Sequence, residues 1–119
     1  MSDSVIDNII RSQTVEDYLD FFENKDLESI SNLFSDTCSL RDWNLGLVIG
    51  KDSVMKVFSN IFQSEDDVGV KILHMHEDIG GIIVCEMVLT LGDEEILVAD
   101  VFEFDEDDLI QNLRAYRGN

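Results

Sequence analysis

A single carboxylate on an otherwise apolar strand face is the most informative chemical feature of this sequence. Because strand side chains alternate between two faces, Asp100 shares its face with four apolar side chains. These are Ile96, Val98, Phe102 and Phe104. Burial raises the pKa of a carboxylic acid, since the charged form loses water, and a neutral Asp can donate a hydrogen bond to a developing oxyanion. The alternative is a structural Asp that accepts hydrogen bonds from its neighbours.

Two further residues have side chains suited to proton transfer or oxygen binding. Asp42 shares the face of a short predicted strand with Cys38 and Leu40. A carboxylate at a strand end can act as a general base, or it can cap the next turn. Tyr18 lies within an apolar helical stripe, where its ring packs in the core and its hydroxyl needs a partner. A hydroxyl that faces a pocket could donate to a ligand oxygen.

His74 and His76 are two residues apart, which predicts one strand face shared with Val70 and Ile72. The pair could line a pocket as acid or base. A metal site would need a third ligand at a diagnostic spacing, so we expect no metal. Glu86 is either a second buried carboxylate or one partner of an ion pair. Three basic residues could pair with it: Lys71, Arg114 and Arg117.

Hydrophobic residues at helical spacing predict the elements that position Tyr18 and Asp42. Residues 1–13 form an N-terminal extension with a short apolar stripe. A first helix begins at Thr14, which has capping-box spacing with Asp17. A second helix begins at Asp26, a plausible N-cap, and carries its apolar face through Phe34. Residues 38–43 alternate like a strand, residues 44–50 form a connection, and residues 51–63 form a third helix.

From residue 70 onward the hydrophobic period changes to two, which predicts four strands over residues 70–77, 82–91, 95–104 and 109–117. The short, turn-like breaks between them favour antiparallel hairpins. Helices followed by a meander predict an α+β fold with the helices on one face of the sheet. The strand over residues 82–91 is apolar on both faces apart from Glu86 and Thr90. We therefore expect a homodimer in which a second subunit covers part of the outer face.

Composition excludes several classes of partner. The 119 residues include 26 acidic and 8 basic side chains, and the formal net charge is −18. This balance argues against nucleic-acid partners and against anionic membrane surfaces. No apolar run reaches the ~18 residues of a membrane span, and the N-terminus lacks signal-peptide features. Cys38 and Cys85 are isolated, which is typical of reduced core thiols, so we expect a cytoplasmic protein.

The sequence resembles the nuclear transport factor two-like superfamily, and within it ketosteroid isomerase and the SnoaL-like polyketide cyclases. The resemblance rests on three segments in order: residues 18–43 (YLDFFENKDLESISNLFSDTCSLRDW), 50–58 (GKDSVMKVF) and 98–118 (VADVFEFDEDDLIQNLRAYRG). It covers nearly all of the chain beyond Thr14. It implies a cone-shaped, curved antiparallel sheet wrapped around N-terminal helices, with residues 1–119 as a single domain.

The resemblance also implies roles for individual residues. The isomerases hold the substrate oxygen with a first-helix tyrosine and a protonated aspartic acid, and an aspartate after the second helix carries the proton. Tyr18, Asp100 and Asp42 stand at these three places. Trp43 stands where the isomerases carry a proline, and its indole could narrow the pocket. The expected pocket is lined by eight further residues: Phe22, Trp43, Phe58, Phe62, His74, His76, Val98 and Phe102.

Two kinds of function remain open. The resemblance favours a protein that binds an apolar small molecule and abstracts a proton next to its carbonyl group, with no cofactor. The alternative is a non-catalytic ligand-binding or dimeric association module on the same fold. In that case Tyr18 and Asp100 form a buried hydrogen-bonded pair, and Trp43 or Phe62 plugs the pocket.

Overall fold

The computed structural model describes residues 3–64 and 67–119, which form three helices and six strands. The helices are α1 (Asp3–Glu23), α2 (Leu27–Ser31) and α3 (Lys51–Ser64). The strands are β1 (Phe34–Asp42), β2 (Gly46–Ile49), β3 (Val68–Glu77), β4 (Ile83–Leu91), β5 (Glu94–Phe104) and β6 (Ile110–Arg117). The α+β class and the four C-terminal strands are as the sequence predicts. The described helices also include none long and apolar enough to cross a membrane.

The first helix does not begin at Thr14. Residues 3–13, expected as an extension, form the first half of one continuous helix, α1. The Thr14 hydroxyl donates to the Ile10 carbonyl at 3.1 Å, a bond from one helical turn to the turn before it. A threonine inside a helix often makes this bond, and capping-box spacing alone does not distinguish it from an N-cap.

The second helix is shorter than its apolar pattern predicts. Asp26 is its N-cap and accepts a hydrogen bond from the Ser29 amide at 3.2 Å, but the helix ends at Ser31. Phe34 instead begins β1 and pairs with Ile110, and the Ile110 amide donates to the Leu33 carbonyl at 2.8 Å. Pairing with a distant strand therefore outweighs the local helical period at Phe34.

The six strands form one curved sheet in the order β2-β1-β6-β5-β4-β3. All neighbouring strands are antiparallel except β1 and β6, which run parallel. This parallel pair departs from the expected all-antiparallel sheet. It joins the strand that follows the helices to the last strand of the meander. The segment expected as a plain connection over residues 44–50 contains the short edge strand β2.

The core lies between the helices and the inner face of this sheet. Val15, Tyr18, Leu19 and Phe22 contribute the buried side of α1, while Val54 and Phe58 contribute that of α3. Alternate residues of β4 and β5 are buried against them. Both thiols belong to this core: Cys38 and Cys85 are fully buried and unbridged, and burial raises the pKa of Cys85 to about 12.

A bulge interrupts the pairing of β3 with β4 at Leu73. Ile72 lies opposite Met87, and the next paired residue, His74, lies opposite Glu86. A bulge inserts one unpaired residue, so side chains beyond it change faces relative to those before it. Val70 and Ile72 thus face α1, whereas His74 and His76 face away from it.

Candidate functional site

The helices and the inner sheet face enclose a small, mostly apolar cavity, called here the inner cavity. Its volume is about 60 Å³. Tyr18 from α1, Asp42 from the end of β1 and Asp100 from β5 supply its titratable groups. Its other lining residues are Leu19, Phe22, Leu40, Trp43, Phe58, Ile61, Met87, Leu89, Val98, Leu113 and Ala115. Three residues predicted from separate parts of the sequence therefore meet in one place.

Asp100 is buried as its strand pattern predicts, with only 6% of its surface exposed. It lies opposite Cys85 on β4 and Ala115 on β6. Loss of water around the carboxylate raises the pKa of Asp100 to about 7. A sizeable fraction of Asp100 is therefore neutral near physiological pH, and a neutral carboxyl group can donate a hydrogen bond into the cavity.

The ring of Tyr18 packs among other aromatic rings. Its ring centroid lies 5.5 Å from that of Phe102 and 5.8 Å from that of Phe58, both in edge-to-face geometry. Burial raises the pKa of Tyr18 well above its ordinary value, and the nearby charge of Asp100 raises it further. The phenol therefore stays protonated and is suited to donating a hydrogen bond rather than giving up its proton.

Asp42 combines a structural contact with access to the inner cavity. Its Oδ1 accepts hydrogen bonds from the backbone amides of Asn44 at 2.8 Å and Leu45 at 3.0 Å. These bonds are the turn-capping arrangement that the sequence left open as an alternative. Within the described residues no hydrogen bond is made to Oδ2. Asp42 is half-buried, and the neighbouring Arg41 is exposed.

A second space, the outer cavity, adjoins the first. Its volume is about 410 Å³, and it shares Phe22, Asp42, Trp43, Ile61 and Leu89 with the inner cavity. The other residues of its wall are Asn44, Leu45, Val57, Asn60, Ser64 and Leu91. Small-molecule pockets typically measure about 300–1,000 Å³. Of these two adjoining spaces only the outer cavity falls within this range, and only the inner one is lined by Asp100.

The sequence of this folded unit also matches a known family. Residues 15–113 match the family described as the SnoaL-like domain. The chain belongs to this family. No curated protein matches it significantly.

Solved structures share the fold of this SnoaL-like domain. A SnoaL-like protein of unknown function from Burkholderia thailandensis is 15% identical, with a TM-score of 0.83 over 93% of this chain and 96% of that one. SalBIII, an epoxide hydrolase/cyclase-like enzyme in pyran ring formation in the polyether salinomycin, is 17% identical, with a TM-score of 0.80 over 91% and 90%. A putative ketosteroid isomerase from Kribbella flavida is 14% identical, with a TM-score of 0.79 over 92% and 78%. These likenesses show the NTF2-like, cystatin-like fold.

Of the eight additional pocket residues expected from the sequence, four line the inner cavity of the SnoaL-like domain: Phe22, Trp43, Phe58 and Val98. Phe102 does not line it; its ring is fully buried and lies 5.5 Å, centroid to centroid, from that of Tyr18. Phe62 does not line it either. Its ring lies 5.3 Å from that of Phe22 and 6.4 Å from that of Phe58, so it packs against two residues of the lining.

His74 and His76 line neither the inner nor the outer cavity. The bulge at Leu73 places both on the outer face, where they are exposed. His76 Nε2 lies 2.6 Å from Glu86 Oε2, and this contact lowers the pKa of Glu86. Glu86 is therefore neither buried nor paired with the basic residues proposed for it.

Several residues of the cavity wall are not predicted by the sequence pattern. Met87 and Leu89 on β4 lie opposite Val98 and Ile96, and all four face inward. Their alternation with Val88 was visible in the sequence. The hairpin register with β5, which places Met87 next to Val98 and so on the cavity wall, was not.

Proposed function

We propose that this SnoaL-like domain binds an apolar small molecule that carries a carbonyl group, and that it moves a proton on the carbon next to that group. One observation carries the proposal: Tyr18, Asp42 and Asp100 all line one small, otherwise apolar cavity. Such a reaction needs donors for the carbonyl oxygen and a base for the α-proton. Tyr18, which stays protonated, and Asp100, which is partly protonated near neutral pH, are the donors, and the half-buried carboxylate of Asp42 is the base.

Each of the three side chains has a distinct role in this proposal. The carbonyl oxygen accepts hydrogen bonds from the Tyr18 hydroxyl and from protonated Asp100. Asp42 takes the α-proton through its carboxylate, the C–H electron pair forms the carbon–carbon double bond of an enolate, and the negative charge moves to the oxygen. Asp42 then returns the proton to carbon, so no external acid or co-reactant is consumed.

The small volume of the inner cavity supports a second candidate function, that of a non-catalytic module. At about 60 Å³ it is smaller than the roughly 150 Å³ cavity that accommodates benzene. The carboxylate of Asp42 also supports the turn to Asn44 and Leu45. Both observations favour a non-catalytic module, in which the polar residues serve the fold and the outer cavity alone takes a ligand.

Exchange of carbon-bound hydrogen distinguishes the two candidates. 2-Tetralone, an apolar ketone with acidic α-protons, is incubated in D₂O with the wild type, and exchange is followed by proton NMR. We expect accelerated exchange, and a loss of about 100-fold or more in Asp42→Asn, because a general base contributes about 10²–10⁴ in rate. Undiminished exchange in Asp42→Asn would remove that residue as the base. Binding of 2-tetralone with no acceleration by the wild type favours the non-catalytic module.

A further inference from the structure

Trp43 stands between the two cavities. It lines both the inner cavity and the outer cavity, and it is the only tryptophan of the chain. The preceding residue, Asp42, accepts hydrogen bonds from the amides of Asn44 and Leu45, so the backbone is fixed on both sides of the indole. The turn therefore fixes the point from which the indole extends, at the boundary between the two spaces.

The indole nitrogen of Trp43 is a buried donor without a protein partner. Nε1 is shielded from solvent, and it makes no hydrogen bond with any of the described residues. Indole can only donate, and the great majority of buried polar groups in proteins are paired. Trp43 lines both cavities, whereas Nε1 itself exposes almost no surface to either, so a small turn of the ring would bring this unpaired donor to a ligand atom.

The size of the inner cavity determines where a ligand must extend. A ring does not fit within about 60 Å³, given that a cavity of roughly 150 Å³ holds benzene. A molecule whose oxygen reaches Asp100 must therefore have part of its body in the outer cavity. Its path passes the residues common to both cavities, and Trp43 is the one among them with a free donor.

We propose that Trp43 Nε1 donates a hydrogen bond to a second acceptor atom of the ligand, so that the site selects apolar molecules with two oxygen functions, one at each end. This inference rests on the proposed function only in placing the first oxygen at Tyr18 and Asp100. Trp43 is then a specificity-determining residue that discriminates among ligands by their outer acceptor.

Two probes that differ in one acceptor test the assignment. 2-Naphthol carries a single oxygen, and 6-acetyl-2-naphthol adds a carbonyl at the far end of the same ring system. Dissociation constants are measured by calorimetry for the wild type, Trp43→Phe, Leu45→Ala and Asp100→Ala. Trp43→Phe keeps an aromatic ring and removes the N–H. Leu45→Ala is the matched control, since it changes the same turn and the same outer wall without removing a donor.

We expect Trp43→Phe to raise the dissociation constant of 6-acetyl-2-naphthol about 10-fold, which is the effect of losing one hydrogen bond. The dissociation constant of 2-naphthol should change by less than about 2-fold. Leu45→Ala should change the dissociation constants of both probes by the same factor. Because the chain has one tryptophan, its indole N–H gives one cross-peak in a nitrogen-15 correlation spectrum, which should move downfield with 6-acetyl-2-naphthol alone.

The remaining outcomes separate this inference from the proposed function. Suppose that both probes bind, that Asp100→Ala lowers the affinity for both, and that Trp43→Phe changes both affinities by the same factor. The placement of the first oxygen then stands, and the role of Trp43 is wrong. If Asp100→Ala leaves both affinities unchanged, while Trp43→Phe lowers the affinity for 6-acetyl-2-naphthol alone, the role of Trp43 stands and the placement of the first oxygen is wrong. An indole cross-peak unmoved by either probe contradicts the role of Trp43.

Discussion

The phenol of Tyr18 on α1 and the carboxyl group of Asp100 on β5 line the same cavity, and the charge of Asp100 adds to burial in raising the pKa of Tyr18. The pKa of Asp100 itself is raised to about 7 by burial. Ionisation of Asp100 is therefore the event in this pair that falls near neutral pH. It both introduces a buried charge and removes one of the two donors that the cavity offers to an oxygen.

The stability of the fold should depend on this ionisation. An unfolded Asp has a pKa of about 3.9, so between about pH 4 and pH 7 the folded state holds a proton that the unfolded state has lost. The free energy of unfolding therefore falls as pH rises through this window, by up to about 4 kcal/mol. Asp100→Asn has no such ionisation, so its stability relative to the wild type should increase from pH 4.5 to pH 8. Denaturant unfolding at both pH values measures this, and parallel pH profiles would contradict it.

The hydroxyl of Tyr18 should matter more for activity than for folding. Tyr18→Phe keeps the ring contacts with Phe58 and Phe102, so the free energy of unfolding should change by about 1 kcal/mol or less. Exchange of 2-tetralone should slow by at least about 10-fold, since one oxygen-binding donor is lost. As a control, Phe102→Leu reduces packing against the Tyr18 ring and keeps the hydroxyl. A stability loss of about 1–3 kcal/mol in Tyr18→Phe without an effect on exchange would favour the non-catalytic module.

How far the sequence predicts the site depends on where the chain keeps a regular period. β5 pairs without interruption along the stretch that holds Asp100, so alternation alone predicts its burial. In β3 the bulge at Leu73 reverses the alternation, so simple alternation predicts the wrong face for His74. A bulge depends on the partner strand, which the pattern of one strand does not describe. Thr14 and Phe34 likewise follow local rules that longer-range structure overrides.

Asp42 should prove to have separable roles in the turn and in proton transfer. Asp42→Asn keeps an oxygen that can accept from the amides of Asn44 and Leu45, whereas Asp42→Ala loses both bonds. We expect Asp42→Ala to lower the free energy of unfolding by about 1 kcal/mol, similar to the loss of other capping side chains, and Asp42→Asn to lower it by less. Both variants should lose exchange activity, because both lack the carboxylate. Activity that tracks stability across the two variants would indicate a structural role alone.

The histidines of β3 should be dispensable for ligand binding. His76 is exposed and contacts Glu86 on the outer face, and exposed ion pairs contribute little to stability. His76→Ala and Glu86→Gln should therefore leave the affinity for 2-naphthol and the midpoint of thermal unfolding unchanged within error. His74→Ala is the companion variant on the same face. A change in affinity in either histidine variant would place that side chain at the binding site after all.

The side chain of Arg11 should contribute far more to the stability of the fold than a surface arginine usually does. Arg11 Nε lies 2.8 Å from Asp108 Oδ1, Nη2 lies 3.4 Å from the Asp105 carbonyl oxygen, and the guanidinium carbon lies 5.4 Å from the Phe104 ring centroid. Nη1 also lies 3.5 Å from the Gly81 carbonyl oxygen. One side chain thereby joins α1 to the β3–β4 and β5–β6 turns, and only 14% of it is exposed.

Replacement of Arg11 by Met keeps much of the aliphatic stem and removes all of these polar contacts. Because the loss leaves Asp108 partly buried without its cation, we expect a decrease of about 2 kcal/mol in the free energy of unfolding. Arg11→Lys should recover part of the loss, since it keeps the charge without the planar fork. Arg41→Met is the matched control, because Arg41 is exposed on β1 and surface substitutions usually change stability by less than about 0.5 kcal/mol. Equal effects in Arg11→Met and Arg41→Met would show that the contacts of Arg11 do not hold α1 to the two turns.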